Sequence, residues 1–212
     1  MRRLPVYLLL DTSGSMRGEP IEAVNTGLRM MVSSLRQDPH ALETVSISIL
    51  TFDVDAKVVV PMTALEDLVV PQITTPQSGP THLGRALETL HDKVRAEVRK
   101  SSPDAKGDWA PFLFVMTDGK PSDTQVYREQ CPRIRALGFA SIIGCVAGPK
   151  ACKDDLKPLC DHVVSLDTMD SAGFNSFFKW VTATISGGNK TMGLASGSTS
   201  LPPPPPEIQV VF

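Results

Sequence analysis

The chain opens on an uninterrupted apolar run, Val6-Tyr7-Leu8-Leu9-Leu10, entered through Pro5 and ended by Asp11. A short β-capable run without a polar break reads as a strand buried on both faces, the pattern of a parallel sheet. Ile21, Val24, Leu28, Met31, Val32 and Leu35 then recur at helical spacing. They predict an amphipathic helix that starts at Gly18-Glu19-Pro20 and stops near Gln37-Asp38-Pro39. Thr44 to Phe52 alternates and then turns apolar, as a strand does. Asp53-Val54-Asp55 is a turn, and Ala56 to Pro61 returns as the second arm of a hairpin, at the sheet edge, where Pro61 is tolerated. A polar loop, 74–80, delivers a helix from about Thr81, with Leu83, Leu87, Leu90 and Val94 as its buried stripe.

The second half repeats the alternation. Ala110 to Met116 is a continuous apolar strand, and Lys120-Pro121-Ser122-Asp123 start a helix running to about Leu137, with Ser122 or Asp123 as its cap. Phe139 to Val146 is a strand, Ala151 to Leu159 a short helix, His162 to Leu166 a strand and Phe174 to Ile185 a closing helix. Strands and helices in turn, with one hairpin, predict an α/β fold. Its form is a doubly wound, Rossmann-like, mostly parallel six-stranded sheet with one antiparallel edge strand and helices on both faces. From Ser186 the composition shifts to Gly187-Gly188-Asn189, Ser196 to Ser200 and Pro202 to Pro206. The expected division is therefore a domain over 1–186 and a Gly/Ser/Pro-rich tail over 187–212. The tail ends in Glu207-Ile208-Gln209-Val210-Val211-Phe212, which alternates like a strand and suits either a disordered end or a strand docked on a sheet edge.

The chemistry gathers where the first strand stops. Asp11, Ser13 and Ser15 place a carboxylate and two hydroxyls at alternate positions in a turn loosened by Gly14. Loops at the carboxyl ends of parallel strands are where open α/β sheets build their sites. Hard oxygen donors converging there suit Mg²⁺ first, with Mn²⁺ and Ca²⁺ as the other hard cations. Asp53 and Asp55 read as turn formers, His82 as a first-turn surface residue, and Met16, Met30 and Met31 as core packing.

D-x-S-x-S after an apolar strand resembles the first segment of the metal-ion-dependent adhesion site of von Willebrand factor A (vWA) domains, matched by Asp11, Ser13 and Ser15. That family draws a Thr from a helix start and an Asp from the end of another apolar strand. Gly79-Pro80-Thr81-His82-Leu83 and Val115-Met116-Thr117-Asp118-Gly119 supply them in the same order. Thr81 alone reads as a plain helix N-cap; beside the other two segments it reads as a ligand. The opening Met1 to Met16 and the compact size resemble the TerY-type bacterial proteins of tellurium-resistance clusters. The resemblance implies that Asp11, Ser13, Ser15, Thr81 and Asp118 hold a divalent cation. Ser13 and Ser15 bind directly, Asp11 acts mainly through water, and Thr81 and Asp118 exchange direct contact between two states. It further implies a non-enzymatic, metal-dependent protein-binding module in tellurite or chemical-stress response. A partner protein supplies an acidic residue to the metal, and a Ser/Thr kinase and a PP2C-type phosphatase are among the partners.

Composition trims the alternatives. Hydrophobic residues make up 42% of the 212-residue chain, enough for one full core, and the net charge of −2 gives no electrostatic case for a nucleic-acid partner. The apolar run before Asp11 is too short for a secretory segment or a membrane span, so the expected location is the cytoplasm. The four cysteines, Cys131, Cys145, Cys152 and Cys160, form no Cys-x-x-Cys pair and read as free thiols. The competing class is a metal-dependent phosphatase or phosphoryl-transfer protein built on Asp11 or Asp118. Against it, Ser13 stands where a nucleophilic Asp would need a second acid two residues on, and no phosphate-binding Gly-rich loop is present.

Overall fold

A computed structural model describes residues 2–77, 79–148, 152–166, 169–191, 201–205 and 209–211. In chain order the elements are β1 (Leu4–Asp11), a single 3₁₀ turn (Gly14–Met16), α1 (Glu19–Leu35), α2 (Pro39–Thr44), β2 (Val45–Phe52), β3 (Ala56–Ala64) and α3 (Leu83–Glu97). After them come β4 (Phe112–Thr117), α4 (Thr124–Arg135), β5 (Ser141–Ala147), α5 (Lys153–Leu156), β6 (His162–Leu166), α6 (Ser171–Thr191) and β7 (Gln209–Val211).

The six expected strands form the doubly wound sheet, and β7 extends it, in the order β3-β2-β1-β4-β5-β6-β7. β1 lies between β2 and β4 and is parallel to both, with Leu10 opposite Thr51 on one side and Met116 on the other. The order therefore reverses between β1 and β4, which opens the crevice above their carboxyl ends. All eight residues of β1 are buried, and alternation divides them between two cores. Val6, Leu8 and Leu10 face a layer containing α1 and α6, while Tyr7 and Leu9 face one containing α3 and α4. A Cβ on Gly27 would fall 2.1 Å from Phe178, so α1 lies against α6 through a side-chain-free patch. At the opposite end of the sheet, Arg3 pairs with the buried side chain of Asp108 at 2.6 Å and ties down the loop before β4.

Several elements depart from the expected bounds; α5, for example, covers only Lys153–Leu156, and α4 begins at Thr124. α2 follows the first helix, because Asp38 accepts from the His40 N–H and Pro39 suits the first turn of a helix. β3 continues through the exposed Pro61 to Ala64, because the register with β2 slips between Ile47 and Ile49 and the bulge absorbs the missing donor. α3 starts at Leu83 rather than Thr81. α6 runs from Ser171 to Thr191, past the change in composition at Ser186. The terminal strand docks on its own sheet: β7 pairs antiparallel with β6, Val210 opposite Val164, and the Trp180 indole donates to the Pro202 carbonyl at 2.9 Å. The expectations for Ala151, Ser196 to Ser200, Pro206 to Ile208 and Phe212 lie outside the described residues. Met16 and Met31 are core residues, whereas Met30 faces solvent at 41% exposure. Cys131, Cys145 and Cys160 are buried free thiols, and Cys152 is an exposed one. Burial pushes the Cys145 and Cys160 thiols well above the ordinary range, which keeps them unreactive.

Candidate metal centre

Asp11, the last residue of β1, is 1% exposed. Both of its oxygens are held: Oδ1 accepts from the Ser13 N–H at 2.7 Å, and Oδ2 accepts from the Thr117 hydroxyl at 2.6 Å. Thr117 sits at the end of the neighbouring β4, and its own oxygen accepts from the Gly119 N–H at 3.2 Å. Burial pushes the Asp11 carboxyl up to about 6, with the nearby Asp118 charge acting in the same direction and the Thr117 and Ser13 hydrogen bonds acting against it. A carboxylate kept dry with only neutral donors around it favours the approach of a cation.

From there a chain of oxygens crosses the crevice. Ser15, on the 3₁₀ turn, donates to Asp118 Oδ1 at 3.0 Å, so the 3.1 Å contact between the Ser13 and Ser15 hydroxyls has Ser13 as donor. Asp118 is 5% exposed, while Ser15 faces solvent at the mouth. Neighbouring oxygens around an octahedral Mg²⁺ with ligands at ~2.1 Å stand about 3 Å apart, and these two steps match that spacing. The set is all hard oxygen. Among the described residues, no group of three or more His, Cys, Asp or Glu side chains offers another metal site.

Thr81 reaches the same crevice by a different route. Its hydroxyl lies 3.4 Å from where a Cβ on Gly119 would stand, so it abuts the residue after Asp118. It is held there through its backbone: the Thr81 N–H donates to Ser122 Oγ at 3.2 Å, and the Ser122 N–H donates to the Thr81 carbonyl at 2.8 Å. Thr81 is not the N-cap of α3. That position is His82, which makes no side-chain cap bond. Asp123 does the capping instead, accepting from the Gly84 N–H at 3.0 Å and the Arg85 N–H at 2.9 Å. Asp123, one of the two residues expected to cap α4, holds the N-cap position of α4 but turns its side chain to α3, making no side-chain cap bond to α4. The turn after β2 braces the other side. The His82 N–H donates to the Asp53 carbonyl at 2.9 Å, His82 Nδ1 donates to the Val54 carbonyl at 2.8 Å, and Asp53 closes its own turn onto the Asp55 N–H at 3.2 Å.

Asp11, Ser13, Ser15 and Asp118 are therefore joined by direct hydrogen bonds, and Thr81 stands beside them. Sequence reasoning missed Thr117, and it read Ser122 and Asp123 only as caps of the helix that follows them, not as partners of Thr81, Gly84 and Arg85. Thr117 lay in view beside Asp118; the bond from Asp123 to α3 had no signal in local spacing.

The sheet order, the switch point and this oxygen cluster define a doubly wound domain with a candidate cation site at its crest. The sequence model of the von Willebrand factor type A domain matches residues 6–157, and the chain belongs to that family. Solved structures with this fold include proximal thread matrix protein 1 from the mussel byssus, at 17% identity and a TM-score of 0.66, over 87% of this chain and 48% of that one. The mussel protein is also known with zinc in its metal-ion-dependent adhesion site, at 16% identity and a TM-score of 0.64, covering 87% of this chain and 48% of that one. A von Willebrand factor type A protein from Catenulispora acidiphila matches at 17% identity and a TM-score of 0.67, over 88% of this chain and 43% of that one. The chain thus spans a little under half the length of each of these structures. No curated protein matches it in sequence.

Proposed function

We propose that the chain is a cation-dependent protein-binding module of the TerY type, acting in bacterial tellurite or chemical-stress response beside a Ser/Thr kinase and a PP2C-type phosphatase. The observation that carries the metal-dependent part is the run of oxygens from Ser13 through Ser15 to Asp118, spaced like neighbouring ligands of one small hard cation. The mussel relative, with zinc at its corresponding motif, supports the same reading. The narrower TerY assignment rests on the opening Met1 to Met16 and the compact size.

In this reading Ser13 and Ser15 present neutral oxygens directly. Asp11, held by Thr117 and Ser13, contributes its charge from behind them. Thr81 and Asp118 take turns as the direct donor from the second and third loops. A divalent cation held there would supply positive charge that attracts a Glu or Asp of the partner. With neutral Thr81 in place of the Asp118 carboxylate, less of that charge would be neutralised and the attraction for an outside acid would be stronger.

The phosphatase alternative finds little support. A nucleophilic Asp11 would have to leave two hydrogen bonds that occupy both of its oxygens, and Ser13 offers no acid two residues on. Among the described residues no helix is long and apolar enough to cross a membrane. The test is capture of the kinase and the phosphatase by the purified chain with Mg²⁺, with chelator, and with Asp11→Ala. Capture that needs both Mg²⁺ and Asp11 supports the proposal; equal capture in all three conditions contradicts it.

A further inference from the structure

Beside Ser15 and Asp118, a cleft of about 720 Å³ opens over the ends of β4 and β5, walled by Lys120, Ala147, Gly148 and Met169. It is built rather than left over. Gly148 sits at φ +85°, and a Cβ there would fall 2.7 Å from the Met169 sulfur, so the thioether lies directly on the glycine backbone. Gly148 is fixed in turn by its N–H, which donates to the Leu166 carbonyl at 3.0 Å. One wall is therefore apolar and adaptable, since Met169 is half-buried, packed against the core, and carries a polarizable, unbranched side chain. The other wall carries Lys120. Its side chain is 70% exposed, and its ammonium only grazes Asp155 at 3.9 Å, a pairing weak enough to be exchanged for a partner's acid.

We infer that this cleft is the specificity pocket of the metal site. It selects partner segments in which the acidic residue is followed or preceded by a large apolar side chain, such as Leu, Ile, Met or Phe. This rests on the reading of the site as a cation-dependent acid binder. The carboxylate goes to the oxygen cluster, the neighbouring apolar side chain fills the space over Ala147, Gly148 and Met169, and Lys120 attracts further negative charge on the same segment. Charge complementarity favours an acidic segment: an ammonium stands at the rim, and the site would hold a dication. The wall of Ala147, Gly148 and Met169 disfavours one that is acidic throughout.

The probe is a random peptide library panned on the full chain with Mg²⁺ and with chelator, followed by calorimetry on two synthetic peptides, one with Asp beside Leu and one with Asp beside Ser. Mg²⁺-dependent enrichment of acid–apolar pairs is expected, with the Leu peptide binding about tenfold more tightly than the Ser peptide, as burial of one leucine allows. Met169→Ser should erase that preference while leaving the Ser peptide unchanged. Lys120→Glu, at a position 70% exposed, should weaken both peptides and flatten their salt dependence. Mg²⁺-dependent enrichment of acids without an apolar neighbour, or equal weakening of both peptides by Met169→Ser, overturns the pocket and leaves the metal reading standing. Enrichment indifferent to Mg²⁺ and chelator overturns the metal reading, and the pocket with it.

Discussion

Asp11 carries a local tension. It ends a fully buried strand and keeps its charge among neutral donors, with its carboxyl pushed from 3.8 up to about 6 by burial. Because the folded chain holds that proton more tightly than the unfolded chain does, the stability of the metal-free protein falls as pH rises from about 4 to about 6. The penalty stays in full above that window, at roughly 3 kcal/mol at most. Asp11→Asn should therefore melt at a higher temperature than the parent at neutral pH without metal, lack the slope between pH 4 and 6, and gain nothing from added Mg²⁺. Thermal melts across that range, with and without Mg²⁺, check all three. Thr117→Val strips Asp11 of its shortest hydrogen bond and should destabilise the fold by about 1–3 kcal/mol in urea unfolding. Asp11 was legible because a carboxylate ending an apolar strand breaks its pattern. Thr117 was not, because its task depends on β4 lying beside β1 with Met116 opposite Leu10.

Among elements, the joint between α3 and the loop before α4 matters most. Ser122 and Asp123 make four hydrogen bonds to Thr81, Gly84 and Arg85, so the loop that carries Thr81 and the loop that carries Asp118 are fastened together. Asp123→Ala should cost about 1–2 kcal/mol as a lost cap. It should also weaken Mg²⁺ binding about tenfold or more, as removal of a residue supporting a metal ligand does. Urea unfolding and Mg²⁺ calorimetry read the two effects separately. Strand and helix periodicity disclosed most of the elements, and the stops of the strands carrying Asp11 and Asp118 within a residue. What escaped was long-range: Asp123 caps a helix 39 residues away, and β3 passes Pro61 only because β2 supplies a bulge. α2 had a local signature in Asp38-Pro39, masked by the same pair's value as a helix stop.

For the whole molecule, the sheet's reversal between β1 and β4 brings segments about a hundred residues apart to one crevice, as Ser15 and Asp118 show. The far edge is closed by the chain's own end. Leu201 packs on the core, Trp180 holds Pro202, and β7 covers β6. A chain stopped at residue 200 should expose that edge, with faster amide exchange across β6 and little change in β1. Unchanged β6 exchange would contradict the strand's role. Alternation at the end of the sequence suggested a strand, but only tertiary structure chooses its partner edge.

The most direct measurement is a Mn²⁺ titration followed by electron paramagnetic resonance, in which the signal of free Mn²⁺ disappears on binding. The parent chain should take up one Mn²⁺, displaced by Mg²⁺, and Ser13→Ala and Asp118→Ala should each leave the ion in solution. An unbound ion in the parent, or uptake unaltered by either substitution, would contradict a cation site built from Asp11, Ser13, Ser15, Thr81 and Asp118.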